Sequence, residues 1–282
     1  MAAPPGGQRA GREVTAPVAI DPTTANIARV HDAALGGRDN YAVDRQALAE
    51  LLSAAPQTAL AIRSVRRWLV RVTRFLAQQG VDQFLDCGAG LPTMDNTHQV
   101  AQRHNPDATV VYLDIDRATT EYGQALLAGR DRTFYLHADL TRPAEVLATP
   151  AVAARLDRSR PIALIQCGSL PYLDDSAQPA EVLAEYVDAL PAGSFVALAH
   201  WWDPADGAGG SALARATEQA YQDGSLGAGR FRTRAEISAL FGGLHILEPG
   251  LVEIDQWWPE GPSATPPTLA ERLVLGALAR KN

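Results

Sequence analysis

At 282 residues the chain is long enough for one large domain, or for one domain with a small appendage, and 46% apolar with 20% charged residues is ordinary for a soluble globular protein. A formal net charge of −7 argues against a general nucleic-acid surface, which needs a basic face to neutralise phosphates. Cys87 and Cys167 are the two cysteines and neither has a CxxC neighbour, so neither a disulfide framework nor a metal site is expected.

Residues 1–20 are rich in Pro, Gly and Ala and are expected to form a disordered leader. They lack the charged start and apolar run of a signal peptide, and no apolar run along the chain nears the roughly 18 residues of a membrane-crossing helix. A cytoplasmic protein with no membrane partner is the expectation. Residues 21–80 read as a helical unit. Helices are predicted over 27–35, stopped by Gly36-Gly37, over about 43–53, and over about 58–79. In the last, Ile62, Val65, Leu69, Val72, Phe75 and Leu76 recur at helical spacing, and Arg63, Arg66, Arg67, Arg71 and Arg74 among them read as a solvated flank.

From Asp82 the pattern changes to alternation. Strands are predicted near 83–87, 109–114, 133–137, 161–167 and 194–200, with helices near 94–104, 117–128, 143–155 and 178–190 between them. Such alternation specifies a parallel sheet covered by helices on both faces. After Trp202 come a loop, helices near 211–223 and 233–241, and a closing pair of strands at Leu244–Leu247 and Leu269–Leu278, with Pro259–Pro267 a turn-rich segment between the two. Residues 81–282 therefore read as one α/β domain.

The segment Phe84-Leu85-Asp86-Cys87-Gly88-Ala89-Gly90 is an apolar strand that ends in an acid and turns through two glycines into a helix. Glycine lets a ligand approach the backbone, and a helix start offers unpaired N–H groups. Asp114 and Asp139 repeat the acid at the ends of the next two strands, Asp114 in the place of a ribose-binding acid. A dinucleotide loop wants a third glycine where this chain has Thr93, and Asp86 repels a pyrophosphate. An acid there suits an ammonium or a sulfonium instead. S-adenosylmethionine carries both, with a ribose for Asp114 and an adenine amine for Asp139, and is favoured over NAD.

The stretches Ala28-Arg29-Val30-His31-Asp32, Leu35–Tyr41, Phe84-Leu85-Asp86, Gly90–Thr93 and Asn96–Gln102 together resemble an actinobacterial family of S-adenosylmethionine-dependent methyltransferases long described as a domain of unknown function. The resemblance implies the class I methyltransferase (Rossmann-like) fold, a seven-stranded α/β sheet with an N-terminal helical cover over the cofactor. It implies cofactor roles for Asp86, Gly88, Gly90, Asp114, Ile115, Asp139 and Leu140, and closure of the loop Gly36–Tyr41 over the methionine end. Ala89, Gln166, Arg38 and Tyr41 complete the candidate cofactor contacts. Some relatives are similar to enzymes that methylate indole C3 of tryptophan-containing cyclic dipeptides, which makes a small aromatic natural product the candidate acceptor. Where the family often shows a His–aromatic pair after the fourth strand, this chain has Gln166-Cys167-Gly168-Ser169-Leu170-Pro171-Tyr172.

Methyl transfer needs an aligned nucleophile and an acceptor for its proton. The candidate bases are His200, Tyr172 and Asp174, and the candidate acceptor contacts are His31, Asp32, Tyr172, Trp201 and Trp202. A small-molecule substrate is the expected partner, with a homodimer as the candidate assembly. Two other readings stay open at this level: a catalytically inactive protein that retains the cofactor pocket, and an NAD-dependent oxidoreductase.

Overall fold

The computed structural model describes residues 20–92, 95–227, 229–259, 261 and 265–282. The predicted leader up to residue 19, Thr93 and part of the turn-rich segment Pro259–Pro267 lie outside the described residues.

Three helices come first: α1 (Ile27–Leu35), α2 (Ala42–Ala54) and α3 (Thr58–Gln78). Asn26 caps α1, its side chain accepting from the amides of Ala28 and Arg29, and Gly36 ends it at φ 82°, a conformation glycine adopts without strain. The Arg29 guanidinium donates to Asp44 at 2.8 Å across the α1–α2 junction, and the Asp44 carboxylate also accepts the amides of Asn26 and Tyr41. A buried carboxylate with this many donors makes the corner between the two helices rigid.

The alternating region follows as β1 (Gln83–Cys87), α4 (Thr97–His104), β2 (Thr109–Asp114), α5 (Arg117–Leu126), β3 (Thr133–His137), α6 (Pro143–Ala148), α7 (Pro150–Ala153), β4 (Ala163–Cys167), α8 (Pro179–Ala189) and β5 (Phe195–Trp201). The helix expected over 143–155 is two, because Pro150 cannot continue α6 but suits the first turn of α7. The chain closes through α9 (Gly209–Asp223), α10 (Arg234–Leu240), β6 (His245–Ile246), β7 (Val252–Glu253), α11 (Leu269–Arg272) and β8 (Val274–Arg280). The strand expected from Leu269 begins only at Val274. Thr268 and Glu271 form a reciprocal capping box that nucleates α11 first.

The fold is the mixed α/β architecture that the resemblance implies. The strands run β3-β2-β1-β4-β5-β8-β6, parallel from β3 to β5, with β8 antiparallel to β5. Both β6 and β7 pair with β8, so the outer position is shared by two short strands, and the sheet has eight strands among the described residues. On one face α3 lays Trp68, Leu69, Val72 and Leu76 against Phe84, Val110, Ile165 and Ala197. On the other, α6, α7, α8 and α10 cover Leu85, Val111, Leu164 and Leu198. Trp257 is buried edge-to-face against Trp68 and Phe75, whereas Trp258 is exposed. Among the described residues no helix is long and apolar enough to cross a membrane.

Candidate active site

A cavity of about 340 Å³ opens between α1 and α3 on one side and the carboxyl ends of β1, β2, β4 and β5 on the other. This is where an open α/β sheet binds ligands, since the strand order reverses between β1 and β4.

The floor is made from β1, β2 and the segment following β3. Asp86 projects from β1 into the cavity while Leu85 and Cys87 turn to the opposite face. One Asp86 oxygen accepts from the Thr97 hydroxyl at 2.6 Å, and burial lifts the carboxyl to a pKa of about 6. Gly88, Ala89 and Gly90 follow, with Gly88 and Gly90 at φ 69° and 64°. A Cβ at Gly88 would stand 2.6 Å from that of Ser169, so the loop can approach the segment after β4 only as glycine. Asp114, its pKa raised by burial, accepts the Gly90 amide at 3.0 Å, and Asp139 holds the amide and hydroxyl of Thr141. Ile115 and Leu140 complete the floor.

Among the described residues, the amides of the glycine turn are already paired. The amides of Gly88 and Ala89 donate to the Leu113 carbonyl at 2.8 and 3.1 Å, and that of Gly90 to Asp114. Helix α4 begins only at Thr97, and its His98 amide is taken by the Tyr112 hydroxyl, which His98 Nδ1 also meets at 2.8 Å. These four amides are engaged within the fold, and a pyrophosphate at the turn would meet the Asp86 and Asp114 carboxylates.

The wall is drawn from farther apart. His31 of α1 and Tyr172 of the turn after β4 are joined by a 2.6 Å hydrogen bond between Nε2 and Oη, and both line the cavity. Burial, helped by the charge of Arg66, lowers His31 to a pKa of about 4, while burial raises Tyr172 well above the ordinary phenol range. At neutral pH the pair is thus uncharged. Trp201 stands edge-on to Tyr172 at 5.2 Å, and Ile62, Val65 and Leu69 of α3 supply an apolar side. Asp32 reaches the lining, but its Oδ2 accepts from the Asp39 amide and the Asn40 side chain, so it also ties down the loop after α1.

Six candidates are placed elsewhere. His200 is fully buried on the other face of β5. Its Nδ1–H donates to the Trp201 carbonyl at 2.8 Å, and its Nε2 accepts from the Arg232 guanidinium at 3.0 Å. With burial lowering its pKa to about 3 and both nitrogens engaged, it has no lone pair for a substrate proton. Trp202 leaves the cavity and lies under the Arg234 guanidinium. Gln166 is fully buried and accepts from the Ser169 hydroxyl. Asp174 caps a surface turn through Ser176. The sheet register explains three of these. Asp86 pairs with Ile165, and Cys167 with Ala199, so the face that carries Asp86 continues through Cys167 to Trp201. Gln166, His200 and Trp202 alternate to the reverse face. Arg38 and Tyr41 line a smaller neighbouring recess of about 160 Å³, which touches the main cavity at Leu91.

The sequence reading missed Cys167, Ser169 and Arg66. For Arg66 a signal exists, because it falls with Ile62, Val65 and Leu69 on one stripe of α3.

A family model described as S-adenosyl methyltransferase matches residues 13–282. A crystal structure from Thermobifida fusca, described as a candidate methyltransferase, is 38% identical with a TM-score of 0.85, over 92% of this chain and 96% of that one. A DUF574 family protein from Streptomyces avermitilis is 31% identical with the same TM-score, over 92% of this chain and 98% of that one. No curated protein matches the chain.

Proposed function

The chain belongs to the S-adenosyl methyltransferase family, and on that premise we propose that it methylates a small aromatic natural product seated between the His31–Tyr172 pair, Trp201 and the apolar side of α3. The chemistry of the lining fits S-adenosylmethionine: three acids at successive strand ends, and a loop whose amides are already engaged. When bound, this cofactor supplies an electrophilic methyl group on a sulfonium. In this reading Asp86 holds the ammonium, Asp114 the ribose hydroxyls and Asp139 the adenine amine, with Ile115 and Leu140 against the base. Gly88, Ala89 and Gly90 leave room for the ligand backbone to pass.

The observation that carries the acceptor half is the hydrogen bond between His31 and Tyr172 beside Trp201 and the apolar residues Ile62, Val65 and Leu69 of α3. A neutral imidazole can take up a proton that the Tyr172 hydroxyl relays, the hydroxyl accepting one from the acceptor as it donates its own to Nε2. The aromatic edges of Tyr172 and Trp201 favour a flat apolar acceptor over a charged one. Indole C3 of a tryptophan-containing cyclic dipeptide is the first candidate within that class.

The test is calorimetric titration with S-adenosylmethionine, S-adenosylhomocysteine and NAD, followed by mass-spectrometric screening of indoles, phenols and cyclic dipeptides for a gain of one methyl group. Saturable binding of the adenosyl ligands and methylation of an aromatic acceptor are the expected results. Turnover confined to carboxylate or polyamine acceptors would overturn the aromatic assignment.

A further inference from the structure

Helix α3 carries a run of arginines whose fates differ. Arg63 donates to the Ala34 carbonyl at 2.9 Å, and Arg67 meets Glu271 at 3.0 Å and the Ser64 hydroxyl at 2.6 Å. Arg71 donates to the carbonyls of Trp257 and Ile254. Arg66 is the arginine of this helix that lines the cavity, and among the described residues its guanidinium has no hydrogen-bond or ion-pair partner. A guanidinium has five donors and does not lose its charge, so one turned into a cavity is matched to an acceptor that comes with the ligand.

The rest of the lining restricts what that acceptor is. Asp32, Asp86, Asp114 and Asp139 share the lining with Arg66, which is the cationic side chain there that an anionic group can pair with. Asp86 and Arg66 sense each other electrostatically but do not form an ion pair. Two opposite charges held apart across one cavity match the two ends of a zwitterion.

We propose that Arg66 is the carboxylate anchor of the site and that Arg66 and Asp86 together read an α-amino acid zwitterion, the methionine end of the cofactor. This rests on the placement of S-adenosylmethionine in the cavity. Arg66 then selects adenosyl ligands that carry the amino acid over those that lack it, through a bidentate guanidinium–carboxylate contact.

The experiment compares S-adenosylhomocysteine with 5′-methylthioadenosine, which keeps the adenosine and sulfur but has no amino acid. Calorimetric affinities are measured for the wild type, Arg66→Met and Arg66→Lys. Arg66→Met is expected to bind S-adenosylhomocysteine about 10- to 100-fold more weakly, the range of charge-assisted hydrogen bonds, and methylthioadenosine as well as the wild type does. Arg66→Lys recovers part of the loss. Methylthioadenosine binding doubles as the control for an intact pocket. Equal weakening of both ligands, or no weakening of either, overturns the proposal. A rise in acceptor KM with unchanged S-adenosylhomocysteine affinity overturns it too, by placing an acceptor carboxylate at Arg66. A wild type that binds no adenosyl ligand removes the cofactor placement itself.

Discussion

The floor and the wall of the cavity are built in opposite ways. The floor comes from consecutive strand ends, and each acid is held by groups close by in the chain or on the adjoining strand: Asp86 by Thr97, Asp114 by Gly90 and Asp116, Asp139 by Thr141. The wall joins residues from distant elements, and His31 and Tyr172 are 141 positions apart. The floor carries acids and fixed turns, while the wall carries aromatic and aliphatic surface, one neutral hydrogen-bonded pair, Asp32 and Arg66. The difference suits a division in which the floor, with Arg66, selects the cofactor and the His31–Tyr172–Trp201 part of the wall selects the acceptor.

That division can be broken most sharply at the wall. Tyr172→Phe and His31→Asn are expected to lower kcat by about 10²- to 10⁴-fold, the usual worth of a positioned acid–base group, with S-adenosylhomocysteine affinity unchanged. If affinity falls in step with kcat, the pair belongs to the cofactor and the two regions are not separate. At the floor, Asp86→Ala is expected to cost roughly 2–5 kcal/mol of adenosyl-ligand binding, the range for one partner of a buried charge pair, with a retained circular dichroism spectrum. Undiminished affinity in the titration would reassign Asp86 to a structural role.

Acidity sharpens the same point. Asp86 titrates near pH 6 in the cavity, and only its ionised form attracts an ammonium. Affinity for S-adenosylhomocysteine should therefore be flat above that pH and fall about tenfold per unit below it, while Asp86→Asn shows no such slope. A slope that persists in Asp86→Asn would assign the titration to another group. Gly88→Ala combines a positive φ with a 2.6 Å approach to Ser169, and should lower stability by about 1–3 kcal/mol in thermal unfolding. An unchanged melting temperature would mean that the floor gives way more easily than its contacts imply. The smallest effect on turnover is expected at His200→Ala. It leaves kcat unchanged but lowers stability by about 1–3 kcal/mol, because Arg232 loses an acceptor inside the fold. A large loss of kcat at unchanged stability would extend the wall to the far face of β5.

The legibility of the site follows the same line. Asp86, Asp114 and Asp139 were readable because each ends an apolar run, and a parallel strand places its end residue at the ligand edge whatever its neighbours are. His31, Tyr172 and Trp201 are also legible as candidates, but nothing in the sequence shows that the first two touch. His200 ends a strand as the acids do but lies on the other face of the sheet, since position along a strand says nothing of which face the side chain takes. The sequence groups Arg66 with solvated arginines because a basic residue on an amphipathic helix ordinarily faces water, whereas the fold turns this part of α3 to the cavity.

Local pattern alone determined the α/β alternation, the glycine turn, the acids at the strand ends and the helices that precede the sheet, because apolar period and turn chemistry act over a few residues. Tertiary structure decided the sides. The pairings of β1 with β4 and of β4 with β5 put Cys167 and Trp201 on the face of Asp86 and sent Gln166, His200 and Trp202 to the other. With a side-chain period of two, a shift of one residue exchanges every inward and outward position, and only the packed sheet selects between them.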